Sequence, residues 1–343
     1  FYELTNRKTV SKPQRDIYIE TFIMSNLRRR KAGGADAAAP AAGAAAGVAK
    51  EKRIGPLIAA VVLGGGALVL ADRQHGLGAE QKLQGVLLLT AVAIAVLFAT
   101  CPPLPQPLAY HNFADQRCLC CGVPNTFDVL SNIPFLLVSA LGLDHVMGGR
   151  ILAAAGVDVP PPVFADRGVE LPLWITFFAG VGLIALGSGY YHWRPSNARL
   201  VWDRLPMTVA FMSFLSVVLP DTVVQATAAA TNWCLGVLVI IGLASVAYWD
   251  RTDDLRPYVL VQFYSLALIP LLISLFPSRY DNANVEYLIA LAFYVGAKIA
   301  EALDKKIFRA TGRLLSGHTL KHLLSGVTTF YGTVVLLRRR QRV

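Results

Sequence analysis

The chain of 343 residues is 55% hydrophobic and only 16% charged, with a positive mean hydropathy. A soluble chain of this size carries about 25% charge, so the composition excludes an ordinary water-soluble domain. The net charge of +10 does not signal a nucleic-acid partner: the basic residues fall in tails and short loops between apolar runs, a pattern of membrane topology and of attraction to anionic headgroups.

In chain order, residues 1–53 are polar or Ala-rich without sustained periodicity and read as a disordered basic leader. Met24 opens an alternative start, MSNLRRRK, which would make residues 1–23 upstream sequence. An Arg-rich, acid-poor leader also resembles an organellar transit segment, which would point to a mitochondrial or plastid membrane. Nine apolar segments follow, at 54–72, 83–101, 126–147, 171–192, 200–219, 233–249, 257–276, 285–303 and 314–337. At 1.5 Å per residue most are long enough to cross ~30 Å of hydrocarbon, so the expected fold class is all-α, a polytopic membrane helical bundle.

The stretch CPPLPQPLAYHNFADQRCLCCGVPN, with five prolines, separates the second segment from the third. It divides the chain into two accessory transmembrane helices (54–101) and a seven-transmembrane core (102–337), with a basic tail at 338–343. The first two segments carry Gly64, Gly65 and Gly66 and almost no polar atoms, and read as anchors. Cys118, Cys120 and Cys121 cluster in the dividing loop, without the paired CxxC spacing of a cysteine zinc site. A disulfide within that loop is one reading and separate thiols the other.

Polar residues inside the apolar segments mark function, because lipid solvates them poorly. Ser188 and His192 are four apart at the end of the second core segment, and His318 and His322 four apart at the start of the seventh. Four residues make about one helical turn, so each pair projects from one face. Each crossing reverses direction, so the end of the second core helix shares a membrane face with the starts of the first, third and seventh. Ser131, Asn132, Ser188, His192, Asp203, His318 and His322 therefore gather at that face.

Three neutral imidazoles, His192, His318 and His322, match the donor set that binds Zn²⁺ and leaves a position for water, whose pKa falls toward about 7. Asp203, across the turn from His192, is placed to take a proton from water and return it to a leaving group. Ser188 is placed to donate to the oxyanion formed on an attacked carbonyl. Such a site would hydrolyse an amide or ester whose acyl tail lies in the bilayer. Competing readings exist for each residue. Asp203 with Arg204 reads also as an interfacial ion pair, and Ser188 in GSGYY as a small residue for helix packing. Ser131 and Asn132 either bridge helices or orient a ligand. Glu301 and Asp304, on the same face, either receive an imidazole N–H or form a solvated helix end.

GSGYYH with LVWDRLPM downstream, GHTLKH near the carboxyl end and NTFDVLSN in the first core helix resemble the alkaline ceramidases. These belong to a seven-helix superfamily that also includes the adiponectin and progestin receptors and lipid-anchor remodelling enzymes. The resemblance covers residues 110–337. It implies zinc held by His192, His318 and His322, Asp203 as acid/base, Ser188 as oxyanion stabiliser, and an endoplasmic reticulum or Golgi membrane. It also implies an acidic calcium site around Asp115 and Asp128, but Asn125 stands where a glutamate is expected, and two carboxylates are few for Ca²⁺.

The expected function is thus zinc-dependent hydrolysis of ceramide or a related N-acyl sphingoid lipid. The alternatives are an ester-cleaving lipase, a lipid-responsive receptor, and a non-catalytic subunit of a membrane complex. Basic residues favour the site face, with Arg117, Arg194, Arg199, Arg204, Arg251, Arg256, Lys305, Lys306, Arg309 and Arg313 assigned there. That bias argues for a cytoplasmic site. The resemblance argues for a lumenal one.

Overall fold

The computed structural model describes residues 39–119, 122–222 and 227–341, with side chains from Gly55 onward apart from Thr222. Among these residues are nine helices long and apolar enough to cross a bilayer. Helix α1 (Ala39–His75) starts inside the stretch read as leader, on alanines, the strongest helix formers; residues 1–38 lie outside the described residues. After α2 (Ala79–Thr100) comes the Pro-rich linker with one short turn at Leu108–His111. The next span is interrupted at Ser131 and Asn132, giving α3 (Thr126–Leu130) and α4 (Ile133–Met147). A short α5 (Arg150–Ala154) precedes α6 (Arg167–Trp193), α7 (Asn197–Thr222) and α8 (Ala228–Thr252). The following span joins α9 (Arg256–Val259), a wide π turn (Leu260–Tyr264) and α10 (Ser265–Leu275). Last are α11 (Ala283–Ala302), α12 (Asp304–Ala310) and α13 (Gly317–Arg338). A two-residue ladder pairs β1 (Tyr280–Asp281) antiparallel with β2 (Arg340–Gln341).

Lipid gives apolar helices little reason to associate, so small residues that allow close backbone approach decide the packing. A Cβ at Gly180 would come within 3.1 Å of the Ala210 backbone nitrogen, and one at Gly187 would overlap the Trp202 carbonyl. Glycine at these positions lets α6 and α7 cross in near backbone contact. The most apolar window of α7 is 61% buried and that of α6 56%, against 11% for α1 and 22% for α2, so the helices carrying Ser188, His192 and Asp203 form the middle of the bundle. Helices α1 and α2 are peripheral. They pack on each other through Gly64 against Leu89, and the Thr90 hydroxyl meets the Tyr264 hydroxyl at 2.7 Å.

The linker is clamped to the loop after α8. Leu104 N donates to Asp254 Oδ1 at 3.2 Å, Gln106 N to Asp253 Oδ1 at 2.9 Å, and Arg256 Nη1 to the Cys101 carbonyl at 2.9 Å. Burial acts to raise the Asp254 carboxyl, but the Arg256 and Leu104 donors outweigh it and hold the group below the usual carboxylate range. Cys118 is an exposed free thiol, whereas Cys120 and Cys121, on which the disulfide reading also rests, lie outside the described residues.

At the end of the bundle away from the histidines, the first residue after α13 turns inward. Arg339 is 2% exposed, its guanidinium 4.2 Å from the Tyr280 ring centre and 5.1 Å from that of Phe164. Its Nη1 lies 2.8 Å from Glu170 Oε2, close enough for charge attraction although the angle falls short of a hydrogen bond. Tyr280 donates to Glu170 Oε1 at 2.5 Å, and burial, reinforced by the Glu170 carboxylate, keeps the phenol protonated against the opposing pull of the Arg339 charge. Arg339→Ala leaves the Glu170 carboxylate buried without its cation and should cost about 3–5 kcal/mol, read as a lower thermal midpoint in detergent. Pairing Arg339→Met with Glu170→Leu should recover most of that loss. The basic residues are therefore a mixed topological signal: Arg204 and Arg339 are buried, and Arg117 and Arg256 are ion-paired to Asp115 and Asp254.

Candidate metal centre

His192 is the penultimate residue of α6, and His318 and His322 lie in the first turns of α13; all three are buried. Their candidate donor nitrogens lie within 4.8 Å of one another, and among the described residues they form the one group of three or more potential metal ligands. Nε2 of His318 is 3.2 Å from Nε2 of His192 and 2.9 Å from Nζ of Lys321. One imidazole nitrogen offers either a single N–H or a single lone pair, so it cannot satisfy an ammonium and a second ring at once. A tetrahedral ion with ~2.05 Å bonds to nitrogen separates its donors by about 3.3 Å, close to the observed spacing of the two rings. The residues fit such an ion.

Two glycines place the ligands. A Cβ at Gly187 would overlap the Trp202 carbonyl, so glycine there lets Ser188, the next residue, lie beside the Asp203 carboxyl. A Cβ at Gly317 would overlap the Ala300 carbonyl, so glycine there seats the start of α13 against the end of α11. His318 N then donates to Asp304 Oδ1 at 2.9 Å, and Ala114 N to Asp304 Oδ2 at 2.8 Å. Ser316 caps α13, its hydroxyl accepting from Thr319 N at 2.9 Å.

The expected site residues separate by their contacts. Ser131 Oγ meets His322 Nδ1 at 2.7 Å, which fixes the ring and leaves Nε2 as the nitrogen available to a metal. Asn132 stays on its own helix, donating to the Asp128 carbonyl at 2.8 Å, with its Oδ1 buried and without a hydrogen-bond partner. Asp203 and Ser188 are buried beside each other. The Asp203–Arg204 ion pair does not form. Arg204 turns instead to Gln106 Oε1 at 2.6 Å, between the Trp249 ring at 4.2 Å and the Tyr258 ring at 4.8 Å.

Glu301 and Asp304 receive no imidazole N–H. Glu301 pairs with Lys298 and, at 3.5 Å, with Lys321, and accepts from the Tyr110 hydroxyl at 3.3 Å. It therefore acts on His318 only through the Lys321 ammonium. Burial, reinforced by the Glu301 charge, raises the Tyr110 phenol well above its ordinary value and keeps it a donor.

The calcium reading also changes. Both Asp115 oxygens are taken by Arg117, through Nε at 2.8 Å and Nη2 at 2.7 Å. Burial acts to raise the Asp115 carboxyl, but these bonds outweigh it and hold the group low. Asp128 Oδ1 accepts from Thr319 Oγ1 at 2.7 Å and Ser316 Oγ at 3.3 Å, so this carboxylate pins the positive end of α13. Its Oδ2 has no hydrogen-bond partner. Asp115 and Asp128 do not join a common ligand group among the described residues.

Three contributions escape sequence reasoning. Asn125, in a left-handed conformation with φ 50°, donates from Nδ2 to the His192 carbonyl at 2.8 Å and holds the last turn of α6. A glutamate could not make that donation, which accounts for the amide at this position. His111 bonds the Tyr191 hydroxyl at 2.9 Å and Asn197 Oδ1 at 2.8 Å, so it is a satisfied structural histidine. Phe113 lies with its ring centre 4.7 Å from that of His192 and 4.4 Å from that of His318, walling one side of the cluster. The polar run AYHNFAD in the sequence is the advance signal for His111 and Phe113. No protein-family model matches the chain, and no curated protein matches its sequence.

Proposed function

We propose that this protein is a zinc-dependent hydrolase of the bilayer, similar to the alkaline ceramidases, that cleaves the amide of ceramide or a related N-acyl sphingoid lipid. The observation that carries the reading is the convergence of three buried imidazoles from α6 and α13 beside the Ser188–Asp203 pair. His192, His318 and His322 would hold the ion, which when bound supplies Lewis-acid activation of water and of the amide carbonyl.

The chain's own residues supply the remainder. Ser131 holds His322 in one tautomer and orientation. Asp203 takes the proton of the attacking water and delivers it to the departing nitrogen, which leaves as the sphingoid amine. Ser188 orients the Asp203 carboxyl and lies one turn before His192, where its hydroxyl can also donate to the developing oxyanion. Phe113 keeps bulk water from the imidazoles on its side.

A second reading, ester hydrolysis of glycerolipids, uses the same groups with an alcohol as leaving group. Purified full-length protein in detergent, given N-acyl sphingoid and O-acyl glycerol lipids, discriminates them. Release of fatty acid and sphingoid base supports the amide reading, ester cleavage alone replaces it, and no hydrolysis of either class sinks both in favour of a receptor or a structural subunit.

A further inference from the structure

The outer side of Phe113 faces a groove of about 740 Å³, lined also by Arg117, Lys305, Phe308, Arg309 and Arg313. Arg117 is neutralised by Asp115 and stacked over the Phe127 and Phe308 rings at 5.1 and 5.3 Å. Lys305, Arg309 and Arg313 are different. Their side chains are exposed and join none of the ion pairs among the described residues. The nearest carboxylate along this segment, Asp304, is occupied by the amides of Ala114 and His318. Three unopposed cations thus face one concavity.

Position selects among anions. Lys305, Arg309 and Arg313 all lie between the end of one span at Ala302 and the start of the next at Gly317, and Arg117 precedes the span that begins at Thr126. The groove is therefore at the depth of lipid headgroups. Beside it Leu314 is 74% exposed and Leu119 54%, and Arg117 Nη2 donates to the Leu314 carbonyl at 3.1 Å. Exposed leucines next to exposed cations suit an environment with acyl chains on one side and phosphates on the other, as at a bilayer surface.

We propose that this groove is a binding site for the headgroup of an anionic phospholipid of the surrounding membrane, separate from the histidine cluster and divided from it by Phe113. The phosphate sits among Lys305, Arg309 and Arg313, and the acyl chains follow the leucines into the bilayer. The site does not depend on the hydrolase reading, because it uses none of the proposed ligands or proton-transfer groups.

The test uses full-length protein extracted from vesicles of phosphatidylcholine doped with phosphatidylglycerol, with bound lipid identified by native mass spectrometry. Phosphatidylglycerol is expected in excess over its share of the vesicle. In the variant Lys305→Gln/Arg309→Gln/Arg313→Gln that excess should fall roughly tenfold or more, a value discounted for screening from ~fivefold per cation. The charge-keeping variant Lys305→Arg/Arg309→Lys/Arg313→Lys should retain it, separating charge from folding. Equal enrichment in the glutamine variant overturns the proposal. So does displacement of the lipid by inorganic phosphate at constant ionic strength, which would assign the groove to a soluble anion. Zinc content is measured in parallel and is expected to be the same in all variants, so failure here is distinct from failure of the metal centre.

Discussion

Replacing His318 by alanine is expected to abolish metal binding. Wild-type protein should carry about one zinc per chain by elemental analysis, and His318→Ala close to none after dialysis against a weak chelator, because two imidazoles from different helices leave the ion half-coordinated. His318 stands out among the three because its Nε2 faces both His192 and Lys321. Ser131→Ala should be milder. It keeps every ligand but frees the His322 ring, and loss of such an orienting hydrogen bond typically weakens metal affinity by about 10–100-fold. The ordering of the two variants carries the argument. If His318→Ala holds zinc as well as wild type does, the cluster is a hydrogen-bonded packing contact, and the hydrolase reading goes with it.

The bundle was legible because lipid imposes simple rules on a chain. Spanning requires long apolar runs with every backbone group satisfied internally, so the segments announce themselves, and counting crossings places Ser188, His192, Asp203, His318 and His322 at one end. The spacing of SxxxH and HxxxH is local information, fixed by the turn of a helix. What stayed hidden depends on contacts between distant segments. Arg339 reads as one of several arginines in a tail, and nothing nearby in sequence reveals that Tyr280, Phe164 and Glu170 enclose it. Asp128 enters the sequence reading only as a residue of a possible calcium site, and nothing near it in sequence reveals that Thr319 and Ser316 donate to it. Asn125 looks like a departure from an acidic pattern until its amide is found on the His192 carbonyl. In each case the residue type narrows the chemistry, and the partner decides which chemistry is used.

Asp203→Asn separates metal binding from proton transfer. The amide has the size and shape of the carboxylate and offers an oxygen to Ser188, so the packing of α6 on α7 at Gly187 should survive, and zinc should remain at the wild-type level. What asparagine cannot do is take a proton from water and pass it to a leaving nitrogen. Turnover on a fluorescent N-acyl sphingoid lipid should therefore fall by about 10²–10⁴-fold, the usual contribution of a positioned acid–base group. Ser188→Ala is expected to reduce turnover less, because it removes one donor and leaves the base in place. A variant that keeps its zinc and also its full rate would mean that a different group moves the proton. Glu301 is a poor substitute because Lys298 and Lys321 both hold it, and Asp304 because two backbone amides occupy it. Asp128 and Asp203 are both buried carboxylates without an ion pair, but Asp128 is pinned by the Thr319 and Ser316 hydroxyls at the start of α13, whereas Asp203 lies beside Ser188, one turn before His192.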